Sequence, residues 1–202
     1  MSKVIMINIL VVIFFCFFSC NSMAVDLCDD QHLKSRSKDT LELFKHKIST
    51  VIDVNIGSRN SLIVDAVVFN NQEYFNDIKR YRSEEILNAL FFAVALDRRD
   101  WIYELLKYNV RLDDIGGQVI PFFGAAYGNC IDSLKIAIDL DVDFSLRDRN
   151  GMTFAEVAML NKSTEVLKFY IDRAEREEIE MLKLSSSKYD RLDWLLALIN
   201  QQ

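Results

Sequence analysis

Short apolar runs alternate with polar turns through the middle of this chain, and the alternation recurs. Three strongly apolar runs lie at 86–95, 121–127 and 154–160. Each is followed by an amphipathic run, at 99–107, 130–139 and 163–172. Apolar residues at steps of three and four predict helices, so each couple of runs predicts a helical hairpin. Helices this short cannot bury an apolar face alone, and the hairpins must therefore stack on one another.

The three hairpins also share a fixed register. At a spacing of 32 and then 33 residues the following sets align: Ala93, Ala125 and Ala158; Asp100, Asp132 and Glu165; Ile102, Leu134 and Leu167. A period of this length is typical of stacked repeat proteins, which usually act through a surface.

The flanking segments extend the helical pattern. From Asp39 a helical pattern starts, and runs at 61–69 and 72–81 predict a further hairpin. A last pair at 176–184 and 188–199 is joined by three serines, and its polar faces would shield the end of the stack. Since only one proline occurs and five of six glycines fall between 116 and 151, we predict an all-α fold.

The first 24 residues have the anatomy of a secretory signal peptide. Lys3 gives a positive start, residues 4–18 are almost wholly apolar, and Ser22-Met23-Ala24 is a small-x-small cleavage pattern. The alternative is an uncleaved membrane anchor, although the run is short of the roughly 20 residues that a span needs. Residues 25–38 are polar and are predicted to be a linker.

A second cleavage site is an alternative. Phe17-Phe18-Ser19-Cys20 resembles a bacterial lipobox, in which the cysteine is acylated, although the two phenylalanines fit that pattern poorly. Either cut leaves Cys28 and Cys130, and an even count in an exported protein predicts a disulfide between them. The alternative is two unpaired thiols. The lipobox favours bacterial export, so we expect a periplasmic protein, or otherwise a lipoprotein anchored at Cys20 that faces the periplasm.

Charge narrows the class of partner. Without Lys3 the chain carries 23 basic and 30 acidic side chains, a net charge of −7. A nucleic-acid binder would need a basic stripe, so the partner is not expected to be a nucleic acid. No contact with a membrane is expected except through the lipid anchor.

The segment 148–174 resembles the ankyrin repeat. The matching residues are Asp148, Gly151, Thr153, Ala158, Asn161, Glu165 and Val166, and in the preceding copy Pro121, Ala125, Ala126, Asp132 and Asp143. The chain departs from the family pattern where Phe154 replaces proline, where Glu156 or Phe123 replaces histidine, and where Lys162 or Asn129 replaces the turn glycine. A generic array of helical hairpins is the structural alternative.

The resemblance implies an ankyrin-type helical-hairpin solenoid with two long hairpin loops. Residues 86–174 would form three repeats, residues 39–85 the N-terminal helices and a degenerate capping repeat, and residues 175–202 a C-terminal capping pair. Matched alanines would allow close helix contact, Gly151 would need a positive φ, and Thr153 would cap its helix. Phe91, Phe92, Phe122 and Phe123 are predicted to be core, with a greasy ligand groove as the alternative.

Motifs for chemistry are missing from the sequence. The two histidines, His32 and His46, form no HExxH, and there is no CxxC, GxSxG, P-loop or GxGxxG. Acidic clusters such as Asp141 and Asp143 are interpreted as a solvated face. We therefore predict no enzymatic activity, no cofactor and no metal.

A binding surface is the better hypothesis, because ankyrin partners commonly contact the hairpin tips and the adjoining helix ends. The candidate contact residues mix charged, aromatic and apolar types that are enriched at interface centres. They are Asp113, Asp114 and Gln118 on one hairpin, Arg147, Arg149, Asn150 and Met152 on the other, and Tyr127 and Leu160 near the helix ends.

We hypothesise that this is an immunity protein that sterically inhibits a toxic effector in the periplasm. The hypothesis combines the predicted leader, the short solenoid and the lack of a catalytic motif in the sequence. The alternative is a periplasmic scaffold or accessory factor for another enzyme, for example one that protects against oxidative stress.

Processing can be checked by the intact mass of the protein from fractionated cells. We expect a chain that begins at Val25 and is lighter by two hydrogens because of the disulfide. Added acyl mass on a chain beginning at Cys20 would select the lipoprotein alternative, and a chain that retains residues 1–24 would contradict export with cleavage.

Overall fold

Every regular element in the described part of the chain is helical. The computed structural model describes residues 61–71, 81–116 and 119–200. Within these ranges the only β-type pairings are isolated bridges, Gly116 to Val119 and Arg147 to Thr153. No helix among the same residues is long and apolar enough to cross a bilayer. The all-α prediction is confirmed for these ranges, and the predicted leader, linker and helix at 39–52 lie outside them, as does nearly all of the run at 72–81.

The helices follow the predicted runs within a few residues. They are α1 (Ser61–Val68), α2 (Ser83–Ala95), α3 (Arg99–Leu106), α4 (Gly124–Gly128, preceded by a 3-10 turn at Pro121–Phe123), α5 (Ile131–Asp139), α6 (Phe154–Leu160), α7 (Thr164–Ile171), α8 (Arg176–Lys188) and α9 (Leu192–Ile199).

One boundary differs from the prediction. The three serines at 185–187 do not form the last turn, because α8 continues through them to Lys188. Serine is tolerated inside a helix when its hydroxyl finds a partner. Ser186 Oγ donates to the Lys183 carbonyl at 2.7 Å, and Ser185 Oγ donates to Glu156 at 2.5 Å.

The first helices of successive pairs pack in a row. Contacts run from α1 to α2, from α2 to α4, from α4 to α6 and from α6 to α8, while α5, α7 and α9 form a second row. Phe91, Phe92, Phe122 and Phe123 are all buried, so the core interpretation of these residues is confirmed. The Phe122 ring stacks on Phe154 of the next pair at 5.5 Å, which makes the core continuous from one pair to the next.

Close approach between the first helices requires small residues. Ala125 and Ala158 are fully buried, as their predicted packing role demands. At Gly128 a Cβ atom would lie 2.0 Å from the Ala95 carbonyl oxygen, so no larger residue fits between α2 and α4 there.

The turn between the two helices of each pair contains a left-handed residue. Asp97, Asn129 and Lys162 have φ of 49°, 59° and 55°. They recur at 32 and 33 residues, and Asn129 and Lys162 are the two that stand where the ankyrin pattern has its turn glycine. Asparagine and aspartate tolerate this region better than other non-glycine residues, and lysine does not.

Three turn residues that carry a side-chain oxygen also bind the next pair. Asn70 Oδ1 accepts from Trp101 Nε1 at 2.7 Å, Asp97 Oδ1 accepts from Ser133 Oγ at 2.8 Å, and Asn129 Oδ1 accepts from the Glu165 and Val166 amides at 3.0 and 3.2 Å. Trp101, Ser133 and Val166 are each the third residue of their helices. We call the contacts made by Asn70, Asp97 and Asn129 the turn ladder, since they fix each pair in register with the next.

A second set of contacts runs in the opposite direction along the stack. Arg98 Nη2 donates to the Val68 carbonyl at 3.5 Å, and Ser163 Oγ donates to the Ala126 carbonyl. Ser163 makes no side-chain cap on its own helix α7, and Asn129 supplies that cap from the preceding pair. Cys130 occupies the matching position in the middle pair.

Cys130 is disulfide-bonded, and its partner lies outside the described residues. Its Sγ lies 3.2 Å from the Ala95 carbonyl oxygen. Because a disulfide sulfur carries no proton, this is a contact rather than a hydrogen bond. Pairing with Cys28 stays a prediction.

Two equivalent turn positions should respond to substitution with opposite signs. Asn129→Ala removes the cap on α7. It also puts alanine at positive φ, where it lacks the polar side chain that lets asparagine tolerate this region. We therefore expect a loss of about 2–3 kcal/mol in unfolding free energy. Asn129→Asp keeps the acceptor and should remain close to wild type.

Lys162→Gly removes a strained residue that caps nothing and should gain up to about 1 kcal/mol. Urea unfolding of the three variants measures these differences. A destabilised Lys162→Gly variant, or a harmless Asn129→Ala, would contradict the ladder.

Candidate partner-binding surface

The hairpin at 147–153 is held by its own backbone and by one carboxylate. Asp148 Oδ1 accepts from the amides of Asn150 and Met152, both at 2.8 Å. Gly151 lies at φ 75°, as predicted for a turn that needs a positive φ. The tip conformation is therefore set by the hairpin itself before any partner arrives.

The base of this hairpin leads directly into α6 through a capping box. The Glu156 amide donates to Thr153 Oγ1 at 3.3 Å, and the Thr153 amide donates to Glu156 Oε2 at 2.8 Å. The predicted capping role of Thr153 is confirmed. A helix of seven residues, packed on both sides, thereby fixes the direction in which the hairpin leaves the stack.

Glu156 joins three parts of the molecule. Besides the capping box, its carboxylate accepts from Ser185 Oγ of α8 at 2.5 Å and lies 3.8 Å from Arg147 Nη1 of the hairpin. Burial alone would raise the pKa of this carboxyl. Hydrogen bonds from Ser185 and Thr153, with the charge of Arg147, outweigh burial and hold the pKa of Glu156 below its ordinary value.

The hairpin tip presents polar groups to solvent. Arg149 and Asn150 are exposed, and Arg147 is exposed while its Nη1 donates to the Gly151 carbonyl at 2.7 Å. Met152 is half-buried and packs against the core. A cationic and hydrogen-bonding tip thus stands over an apolar base, the combination that interface centres favour.

Tyr127 extends this surface from the end of α4. Its ring packs against Phe91 at a centroid distance of 5.5 Å. Burial, with the negative charge of Asp148 adding to it and Arg149 opposing it, raises the pKa of Tyr127 to about 12. The phenol thus lies within electrostatic reach of the hairpin and keeps its proton at neutral pH. Leu160, at the end of α6, is half-buried against the core.

The other hairpin uses its predicted contact residues internally. Asp113 makes a two-point ion pair with Arg111, at 2.8 and 3.0 Å, and accepts from the Asp143 amide at 3.4 Å. The bond from Arg111 lowers the pKa of Asp113 despite burial. Asp114 accepts from the Arg111 amide at 2.7 Å, and Gln118 lies outside the described residues. Asp113 thereby links the two hairpins at their bases, and its contact with a partner stays a prediction.

The sequence interpretation missed a groove on the side of the second helices. A cavity of about 300 Å³ lies between α5, α7 and the start of α8, and a neighbouring one of about 240 Å³ shares Val142 with it. The first is floored by Phe144 and Phe169, and the Arg173 guanidinium stands 3.5 Å above the Phe169 ring. Leu134, Ile138 and Phe169 match a helix-core pattern, while Val142 and Phe144 lie in the connection between α5 and α6, so no local signal in the sequence brings these residues together around a groove.

Among the described residues there is no group of three side chains able to hold a metal ion, and both histidines fall outside them. Comparison of the chain with protein-family models, curated proteins and solved structures finds no match.

Glu156 generates a pH-dependent prediction. Because its folded pKa is depressed, its contribution to stability is complete above the ordinary carboxyl value and is lost as pH falls through the folded pKa. Glu156→Gln should cost about 1–3 kcal/mol at pH 7, and the gap to wild type should close on acidification.

Urea unfolding between pH 7 and pH 3 measures that gap. Glu104→Gln is the matched control, because Glu104 is also a half-buried glutamate but its ion pair is local, with Lys107 at the end of α3. A gap for Glu156→Gln that is constant with pH, or as small as the control's, would contradict the assignment.

Proposed function

We propose that this protein is an ankyrin-type stack that binds another protein and performs no chemistry. Three features support the ankyrin assignment: the first helices pack in a row through alanine and glycine, the turn residues recur in the left-handed region, and an Asp148–Gly151 hairpin leads into a Thr-capped helix. They agree in register with the sequence pattern over residues 86–174.

The observation that supports the binding proposal is that the hairpin of residues 147–153 is already ordered without a partner. Asp148 and the capping box fix its backbone, while Arg149 and Asn150 remain exposed at the tip. A loop that is already ordered loses little conformational entropy on association. Tyr127 is half-buried and close enough to the hairpin for the charges of Asp148 and Arg149 to act on its phenol. These residues form what we call the hairpin surface: Tyr127, Arg147, Arg149, Asn150 and Met152.

The proposed setting is the periplasm, and the proposed partner is a toxic effector that this protein neutralises by covering its active site. The leader pattern of residues 1–24 and the disulfide bond of Cys130 both favour a compartment outside the cytosol. An acidic chain suits a basic partner, and the cationic hairpin tip would then meet an acidic spot on that partner.

The hairpin surface is tested by affinity capture from the periplasmic fraction, with the captured proteins identified by mass. Replacing Arg149 and Asn150 together by alanine should weaken binding of the captured partner at least about tenfold, equivalent to about 1.4 kcal/mol. Lys107→Ala is the matched control, since it removes a cationic exposed side chain on α3 and should leave binding unchanged. Equal binding by all three proteins would contradict the hairpin surface.

The immunity role has its own test. A strain that lacks this protein should be killed by a toxin encoded beside its gene and rescued by wild type, but not by the Arg149/Asn150 double variant. Tolerance of every such toxin by the deletion strain would overturn the role. Capture of a housekeeping enzyme in place of a toxin would replace it with an accessory role.

A further inference from the structure

The row of first helices ends at α8, and the outer side of that helix carries two exposed apolar side chains among charged ones. One side of α8 contacts α6, and its own pair partner is α9. On the opposite side Met181 and Leu184 each leave 60% of their surface exposed. The predicted polar shield at the end of the stack is therefore incomplete. Elsewhere in the row an apolar face of this kind is covered by the first helix of the next pair.

The exposed side of α8 has a symmetric pattern. Glu177, Met181, Leu184 and Lys188 follow one another at steps of four, three and four, which places all four on one stripe of the helix. The four residues are placed symmetrically about the midpoint between residues 182 and 183: the two apolar residues lie next to it, and the acidic and the basic residue lie at equal distances on either side. A second α8 laid antiparallel about that midpoint would set Met181 against Leu184 of the other copy, twice over.

The charges at the two ends complete the match. In the same antiparallel arrangement Glu177 meets Lys188 of the other copy, and Lys188 meets its Glu177. Between them Lys183 pairs with Glu180 of its own helix at 2.9 Å. Within the described ranges neither Glu177 nor Lys188 makes an ion pair or a side-chain hydrogen bond, so both charges remain available for a partner.

We propose that two copies of this chain associate through antiparallel α8 helices about a two-fold axis. The contact is isologous, since each helix offers the same apolar centre and the same pair of opposite charges. It joins the two stacks at their C-terminal ends and continues the row of first helices from one copy into the other. Because the stripe is complementary to itself, a second copy of this chain supplies the matching surface.

The strength of the contact follows from its size. A helix of 13 residues is about 20 Å long, and one such pair buries less than the 1,200–2,000 Å² or so of a standard interface. We therefore expect a reversible dimer with a dissociation constant in the micromolar range, about 1–100 µM. The hairpin surface contains no residue of α8, so each copy in the dimer keeps its own hairpin surface for a partner.

Sedimentation velocity of the purified full chain over a concentration series tests the proposal. Wild type should shift from monomer to dimer. Glu177→Lys and Lys188→Glu should each weaken the dimer at least about tenfold, because each places like charges together at both ends. An equimolar mixture of these two variants should dimerise again, since every end contact in the mixed pair joins opposite charges. The double variant with both reversals should also dimerise like wild type.

Two further variants separate the contact from folding. Leu184→Ala should weaken dimerisation while thermal unfolding of the monomer is unchanged, because the side chain is mostly exposed. Glu84→Lys, at the exposed start of α2, should affect neither. Wild type that stays monomeric at about 1 mM, or a variant mixture that associates no better than its components, would overturn the proposal.

Discussion

A pair of helices only five to nine residues long cannot bury its apolar face, and that constraint governs this molecule. Between α4 and α7 each helix offers about two turns, too few to persist in water without tertiary contacts. Stability must come from the neighbouring pair, so the relative placement of pairs has to be fixed as firmly as the helices themselves. Aromatic packing such as that of Phe122 on Phe154 fills the space between pairs, but because apolar contacts are non-directional it does little to fix the register of one pair on the next.

The turn ladder supplies the missing direction. Asn70, Asp97 and Asn129 each direct a side-chain oxygen to the next pair and accept from a donor on its second helix. In the reverse sense, the residue that begins a second helix contacts a backbone carbonyl of the preceding pair, as Ser163 does with Ala126. Because most of these bonds are partly buried, losing one would cost about 1 kcal/mol, so a slip in register would be penalised at each of the three turns.

The same constraint places the surfaces on which function is proposed. Each pair needs a connection to the next, and the connection between α5 and α6 is long enough to form the 147–153 hairpin. Glu156 ties that hairpin to α6 and to α8, which transmits the order of the stack to the exposed tip. At the end of the row the constraint has no next pair to satisfy it, and Met181 and Leu184 remain exposed as a result.

Much of the helical plan could be predicted from the sequence, because alanine register and apolar spacing are local signals. Gly151 and Thr153 were predictable in the same way, since a turn and a cap depend on neighbours close in the chain. The cap that Asn129 provides for α7 could not be predicted, because it joins residues 36 and 37 positions apart, while Ser163 at the N-cap position makes no side-chain cap. The internal ion pair of Asp113 and the groove beside Phe169 are likewise products of packing. The serines of α8 resemble a turn in sequence, but the helix continues through them, with Ser185 bonded to Glu156 of α6 and Ser186 to a carbonyl of its own helix.

Residue-resolved hydrogen exchange under native conditions tests the turn ladder most directly, at the amides of Glu165 and Val166. Amides in the first turn of a helix have no partner within it and normally exchange rapidly. The ladder predicts slowed exchange at both amides in wild type, and fast exchange in Asn129→Gly, which keeps the backbone conformation of the turn but removes the acceptor. Rapid exchange at Glu165 and Val166 in wild type, or protection unchanged by Asn129→Gly, would contradict the claim that each pair is held in register by the turn before it.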